Sequence, residues 1–235
     1  MLEFLEEPKT TMTIAKSDRI GSHIQKVTLT FAPEASLAFA IGSYIQPMIA
    51  GKVPRAYSIV EADGTSCTII VSFSGQGVGA RFFENAPVGT TIDVYGPYDD
   101  FPYREGTGRS KVFLATGTGV APFIGMVQAA IAEGQESLLV LGVPGEEDLP
   151  YRTFFESLQQ NNKSFFFLPT LSKPGPTWKG ATGYVTQQFV TAEDRAMLCR
   201  SDVYVCGVPM MIESTRKILK QFGVPKSQIF IQKFG

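Results

Sequence analysis

The chain has 235 residues, room for one large or two small domains. Its 21 Lys and Arg against 22 Asp and Glu leave a formal net charge of −1, which argues against a nucleic-acid binder or a polybasic membrane binder. With 44% apolar and 18% charged residues the chain can bury a core and does not read as disordered.

Residues 1–16 begin with Glu3, Glu6 and Glu7 and do not read as a secretory signal. Next come short β-branched or alternating stretches: Met12–Arg19, His23–Phe31, Ser43–Met48, Arg55–Glu61, Cys67–Phe73 and Thr91–Tyr95. Turn clusters such as Asp63-Gly64 separate them, and their even spacing predicts an antiparallel β-barrel or sandwich. One helix, about Val78–Asn85, interrupts this series.

The texture changes at the polar, Gly-rich joint Arg104–Ser110. Beyond it strands are predicted at Val112–Ala115, Ser137–Leu141, Ser164–Leu168, Asp202–Cys206 and Gln228–Ile231. Helices are predicted at Pro122–Ala132, Arg152–Gln160, Val185–Val190 and Met210–Phe222. That alternation predicts an α/β unit, a parallel sheet with helices on both faces. The uncharged run Val112–Ala132 is broken by Gly117, Gly119, Pro122, Gly125 and Gln128, so it reads as strand, turn and helix rather than a membrane span.

Cys67, Cys199 and Cys206 are far apart, and His23 is the sole histidine. An iron–sulfur cluster needs about four thiolates. A zinc site would need histidine partners. A Ser/His/Asp or Cys/His hydrolase would have to use His23. No metal site is therefore expected, and unclustered cysteines suit a reducing, cytoplasmic setting.

Four segments carry chemistry. Thr116-Gly117-Thr118-Gly119-Val120-Ala121-Pro122 follows a buried strand. Its glycines let backbone N–H groups approach a ligand, and the helix that Pro122 opens attracts a pyrophosphate. Plain strand–helix packing gives the same pattern. In Pro54-Arg55-Ala56-Tyr57-Ser58, a strand would project Arg55 and Tyr57 on one face and Ser58 on the other. The guanidinium can fork onto a phosphate and the phenol ring can lie on a flat heterocycle, but one charge and one packed aromatic is the blander reading. Gly77-Val78-Gly79-Ala80 leads into the first helix and offers N–H groups to a second phosphate, or is simply a helix cap. Cys206-Gly207-Val208-Pro209-Met210 ends a strand before another helix, where a parallel sheet places its ligands; a buried structural cysteine reads the same way.

In this order the segments resemble the ferredoxin–NADP reductase superfamily, from about residue 10 to the end. Arg55-x-Tyr57-Ser58 is similar to its flavin motif, Gly117–Pro122 to its dinucleotide motif, and Cys206-Gly207-x-Pro209-Met210 to its nicotinamide motif. Gly96-Pro97-Tyr98 and the closing stretch that ends at Phe234 look like family sequence too. The resemblance implies an FAD-binding β-barrel over residues 1–108 and an NAD(P)-binding α/β domain over 109–235. It implies that Arg55 holds the flavin phosphate, that Tyr57 packs on the isoalloxazine, and that Ser58 lies near its reactive nitrogen. Gly77, Val78, Gly79 and Ala80 then form the flavin pyrophosphate turn, with Ala80 where relatives usually have Ser. Cys206 is expected beside the nicotinamide, with Gly207, Pro209, Met210 and Phe234 also at the cofactors.

Relatives often hold the 2′-phosphate of NADP with arginines; here Pro144 and Ala181 stand at two such positions, while Ser172 and Lys173 remain and Lys179 is near. No acid closes the second strand of the α/β part, which reads to Leu141. The implied coenzyme is therefore NADPH or NADH, with a slight lean to NADPH. Gln232 occupies a position where many relatives carry Glu. The implied reaction takes hydride from NAD(P)H to FAD and passes single electrons to a separate acceptor protein: a ferredoxin, a flavodoxin or an oxygenase component. The alternatives are a free flavin reductase and a flavin-bearing electron-transfer subunit active only within a larger complex.

Overall fold

In the computed structural model, which describes residues 9–31, 37–49, 53–75 and 77–233, the alternating N-terminal stretches form strands. These are β1 (Lys9–Arg19), β2 (Ile24–Phe31), β3 (Tyr44–Ile49), β4 (Val53–Pro54), β5 (Tyr57–Ala62), β6 (Ser66–Ser72) and β7 (Thr91–Tyr98), with α1 (Val78–Asn85) between β6 and β7. The strand order is β4-β3-β5-β6-β2-β1-β7, and a further β3–β7 pairing closes six of the strands into an antiparallel barrel. Alternation decides what goes inside: Val27 and Leu29 of β2, Ile45 of β3, Ile69 of β6 and Val94 of β7 are buried, and α1 adds Phe83 to the same cluster. Each such side chain contributes about 1.5–3 kcal/mol by leaving water.

The second half forms a parallel sheet. Its elements are β8 (Ser110–Thr116), α2 (Ala121–Ala132), β9 (Ser137–Val143), α3 (Arg152–Asn161), β10 (Phe165–Leu171), β11 (Ala181–Thr182), α4 (Ala192–Cys199), β12 (Ser201–Gly207), α5 (Pro209–Phe222) and β13 (Ile229–Lys233). The strands lie in the order β11-β10-β9-β8-β12-β13. Register places Phe167, Leu139, Phe113 and Tyr204 in one row across the sheet. On that face Phe123 of α2 packs on Phe113 and Phe155 of α3 on Phe167, each pair with ring centroids 5.2 Å apart. The opposite face carries Leu114, Val140, Val203 and Val205 against Leu198 of α4 and Ile212 and Leu219 of α5. Both faces are covered, which is why these strands are near-continuous apolar runs.

The described chain divides into two compact units: the chain up to Arg19 with His23–Pro102, and Ile20–Ser22 with Tyr103 onward.

The short strands β4 and β11 have no counterpart in the sequence reading, and two helical elements differ from it. Val185–Val190 is not an α-helix; Val185–Gln188 makes a single 3-10 turn and Phe189 is extended. Val185 and Phe189 have helical spacing, but both reach the core from this turn. Helix α4 was not expected. Leu198 is its one fully buried residue, so it shows little apolar periodicity. Its signal is a cap: Thr191 Oγ1 accepts the Asp194 N–H at 3.1 Å while Asp194 accepts the Thr191 N–H at 2.8 Å.

Candidate functional site

In the barrel unit the site residues come from the start of β5 and the start of α1. Arg55 and Ala56 lie between β4 and β5, outside any strand, so the expected strand begins at Tyr57 rather than at Arg55. The Arg55 N–H donates to the Pro47 carbonyl at 3.2 Å, in the same register that pairs Met48 with Pro54 and Ile45 with Tyr57. The Arg55 guanidinium is exposed and donates to the Pro54 carbonyl at 2.9 Å.

Arg55 and Tyr57 nonetheless converge on Gly79. A Cβ on Gly79 would overlap the Tyr57 hydroxyl and stand 3.6 Å from Arg55 Cγ, so only glycine lets the first turn of α1 press onto this pair. The Tyr57 ring meets Phe83 edge-on, with centroids 5.4 Å apart. Burial pushes the Tyr57 phenol up to about 12, with the Arg55 charge pulling the other way, so the ring stays neutral. Ser58 is buried and pairs across to Tyr44 of β3. Helix α1 begins at Gly77 with no side-chain cap and no acid in its first turn. Its leading N–H groups can therefore serve a bound anion beside the guanidinium. Val78 is exposed and Ala80 buried. A Cβ on Gly77 would meet nothing, so Gly77 is not required sterically.

In the α/β unit the expected residues gather at the carboxyl ends of β8 and β12. Gly117, with φ +54°, opens a 3-10 turn through Val120 that runs into α2, placing Pro122 in the helix's first turn. This helix also lacks a side-chain cap and an acid in its first turn. Ala121 and Pro122 are buried under it, and Thr118 is half-buried. A Cβ on Gly119 would meet the Cys206 carbonyl oxygen at 2.5 Å. One on Gly207, where φ is +155°, would overlap Thr116 Oγ1. Thr116 Oγ1 accepts the Val208 N–H at 3.1 Å. Pro209 opens α5, and Met210 beside it is 75% exposed. Cys206 is fully buried; burial pushes its thiol well above the usual range, and Sγ lies 3.9 Å from Gln232 Oε1.

Ser172 and Lys173 stand apart from this group. They follow β10, two strands from β8, with their N–H groups on the Val143 and Pro144 carbonyls at 3.1 and 2.9 Å. Both are exposed. Phe234 lies outside the described residues. Two features were missed from the sequence. The bond from Val208 to Thr116 joins distant positions and has no local signal. The acidic turn Glu146–Asp148 follows β9 once that strand runs on to Val143, two residues past its expected end.

Comparison with known proteins agrees with this division. Residues 11–103 match the model of the oxidoreductase FAD-binding domain, and residues 113–217 that of the oxidoreductase NAD-binding domain. Ferredoxin–NADP reductase B of Sorangium cellulosum is 29% identical over 228 residues, covering 92% of this chain and 93% of that protein. The 2-halobenzoate 1,2-dioxygenase electron transfer component of Burkholderia cepacia is 31% identical over 236 residues, covering 97% of this chain and 68% of the relative. The chain belongs to the ferredoxin–NADP reductase superfamily. Among solved structures, a cytochrome P450 reductase from Amycolatopsis superposes with a TM-score of 0.86 at 27% identity, over 97% of this chain and 70% of its own.

This superfamily member is an oxidoreductase that binds FAD and NAD(P). The side chains suit both groups. Around Gly79 a cation, a neutral aromatic ring and an uncapped helix start come together, as a flavin with its phosphates requires. At Gly117–Pro122 another uncapped helix start, packed on Gly207, suits a second pyrophosphate.

Proposed function

We propose that this reductase takes electrons from NAD(P)H and hands them singly to a separate protein acceptor: a ferredoxin, a flavodoxin or an oxygenase component. Bound together, the two cofactors supply hydride transfer from nicotinamide to flavin followed by one-electron release. The observation that carries the reading is the repeated design at Gly79 and Gly119. Each is a glycine whose Cβ would collide with a neighbour, and each seats an uncapped helix start beside the expected cofactor residues.

Arg55 grips the flavin phosphate as a fixed cation, and the leading N–H groups at Val78, Gly79 and Ala80 bind its pyrophosphate, with Gly77, whose own N–H donates to the Gly75 carbonyl at 2.7 Å, as the cap residue of that turn. Tyr57 lies on the flat ring as a neutral phenol, and Ser58 offers its hydroxyl near the reactive nitrogen. In the α/β unit Gly117, Thr118, Gly119, Ala121 and Pro122 form the turn that holds the dinucleotide pyrophosphate, and Thr116 leads into it at the end of β8. Cys206, Gly207, Pro209 and Met210 border the nicotinamide, and Ser172 and Lys173 face the adenosine phosphate of NADPH. Residues 1–108 make up the flavin domain and 109–235 the nucleotide domain. The gap between the two matched domain models, from 103 to 113, supports that boundary.

The 235 residues hold three cysteines, too few to ligate an iron–sulfur cluster, so the one-electron carrier lies outside them. Relatives named as a ferredoxin–NADP reductase and a dioxygenase electron transfer component support such an acceptor. Cys67, Cys199 and Cys206 are all free, which supports a cytoplasmic location. Among the described residues no helix is long and apolar enough to cross a membrane.

The visible spectrum of the purified protein tests the reading. Bound oxidised flavin that is bleached by NADH or NADPH is expected, followed by reoxidation by an added ferredoxin or flavodoxin. Flavin lost on gel filtration, with free flavin reduced catalytically, would identify a flavin reductase instead.

A further inference from the structure

The β8–β12 ladder ends at the pair Ala115 and Cys206. Beyond it Thr116 and Gly207 stay paired to their outer neighbours, Gly142 of β9 and Lys233 of β13, but no longer to each other. The two turns that follow, Gly117–Pro122 and Val208–Met210, are joined directly by a side-chain bond. Thr116 Oγ1 accepts the N–H of Val208, the residue that caps α5, at 3.1 Å. Gly207 is wedged against the same threonine: a Cβ there would overlap Oγ1 and meet the Thr116 nitrogen at 3.0 Å. On the far side of the contact, Gly119 leaves no room for a Cβ over the Cys206 carbonyl.

We propose that Thr116 is a positioning residue for hydride transfer. Its hydroxyl sets the offset between the two turns, so that a dinucleotide gripped at Gly117–Pro122 presents its nicotinamide beside Cys206 in a single geometry. The inference rests on the reading above that both turns meet the nucleotide, and goes beyond it in separating grip from aim. Grip depends on backbone N–H groups and a helix start that Thr116 does not supply. Aim depends on a bond that only a hydroxyl or similar acceptor at 116 can make. A misplacement of about 1 Å at the reacting atoms costs on the order of a hundredfold in rate, while contacts at the phosphates are unaffected.

The test uses the FAD-loaded chain. Thr116→Val keeps the shape and deletes the acceptor; Thr116→Ser keeps the acceptor. Stopped-flow bleaching of the flavin at saturating NAD(P)H reads the hydride step, and inhibition by ADP-ribose, which lacks the nicotinamide, reads the grip. In Thr116→Val bleaching is expected to slow by about ten- to a hundredfold, with ADP-ribose affinity, flavin content and melting temperature close to wild type. Thr116→Ser should recover most of the rate. Val208→Pro removes the same bond from the donor side, at a backbone φ of −65° that proline adopts readily, and is expected to slow bleaching alike. That second variant decides the matter should Thr116→Val not fold.

Wild-type bleaching rates in Thr116→Val or in Val208→Pro, equal losses in the Val and Ser variants, or a parallel loss of ADP-ribose affinity would each overturn the proposal. A wild-type protein that neither nucleotide bleaches overturns the functional reading itself, and this inference with it.

Discussion

At Gly79 a single missing methyl group decides how close a helix can come to Tyr57 and Arg55. Gly79→Ala must move either the ring or the helix start, so it is expected to weaken flavin binding without unfolding the α/β unit. Arg55→Ala removes a charge-assisted contact while leaving the barrel core untouched. A loss of about ten- to a hundredfold in flavin affinity is expected, read by fluorescence titration of the released flavin. Unchanged flavin content in that variant would remove Arg55 from the site. Cys206 carries a different expectation. Its thiol is fully buried and held protonated by burial, so it does not serve as a nucleophile. Cys206→Ser should fold and keep FAD yet transfer hydride more slowly. In the native protein a maleimide should label the partly exposed Cys199 well before Cys206 or the buried Cys67. Wild-type hydride transfer in Cys206→Ser, together with activity insensitive to alkylation, would contradict that role.

Element by element, the parallel sheet is anchored at the end opposite the candidate nucleotide site. Lys111 on β8 and Asp202 on β12 are register partners and both fully buried, 2.9 Å apart. Lys111 also donates to the Arg104 carbonyl and to Thr107, and Arg109 and Thr107 complete the shell of Asp202. Burial works to raise the Asp202 pKa, but these hydrogen bonds and the Lys111 charge outweigh it and hold the carboxylate below its usual range. A depressed folded-state pKa contributes stability that is fully present above the unfolded value, about 3.9, and is lost as pH falls through the folded one. Asp202→Asn should therefore flatten the acid limb of thermal stability below about pH 4. Lys111→Met should cost about 3–5 kcal/mol, because it leaves a buried carboxylate short of its main partner. An unchanged melting temperature in Lys111→Met would show that the remaining contacts suffice. Strands β8, β9 and β12 were legible in the sequence because they are buried on both faces and read as apolar runs. The 3-10 turn at Val185 and helix α4 were not: in the first, helical spacing served a turn, and in the second, a cap did the work of periodicity. The site was legible where glycines mark the turns. It was not where distant residues meet, as Gly79 with Tyr57, Gly119 with Cys206 and Val208 with Thr116, because nothing local announces such a contact.

For the whole molecule, a net charge of −1 means that no large field favours one nicotinamide coenzyme over the other. The choice falls to side chains at the carboxyl end of the sheet, and these oppose each other. Lys173 follows the end of β10 and is exposed, where the proposed site would place the extra phosphate of NADPH. Across the neighbouring strand, Glu146 and Glu147 follow β9 and are exposed. Arg152, the cation nearest them along the chain, is engaged by Glu146 and by Glu156 at 2.7 Å and lies over the Trp178 ring, so its charge is largely spoken for. An ammonium binds phosphate without the planar fork of a guanidinium, and an exposed one is screened by salt. The expected outcome is use of both coenzymes with a modest lean to NADPH that shrinks as ionic strength rises. Comparing kcat/KM for NADPH and NADH in the wild type and in Lys173→Ala separates the contributions. A phosphate contact by Lys173 predicts a loss of about three- to tenfold with NADPH and almost none with NADH. Glu147→Gln should act the other way, improving NADPH alone by relieving repulsion. Equal losses for both coenzymes in Lys173→Ala, or a strong preference for NADH in the wild type, would show that Lys173 does not read the phosphate.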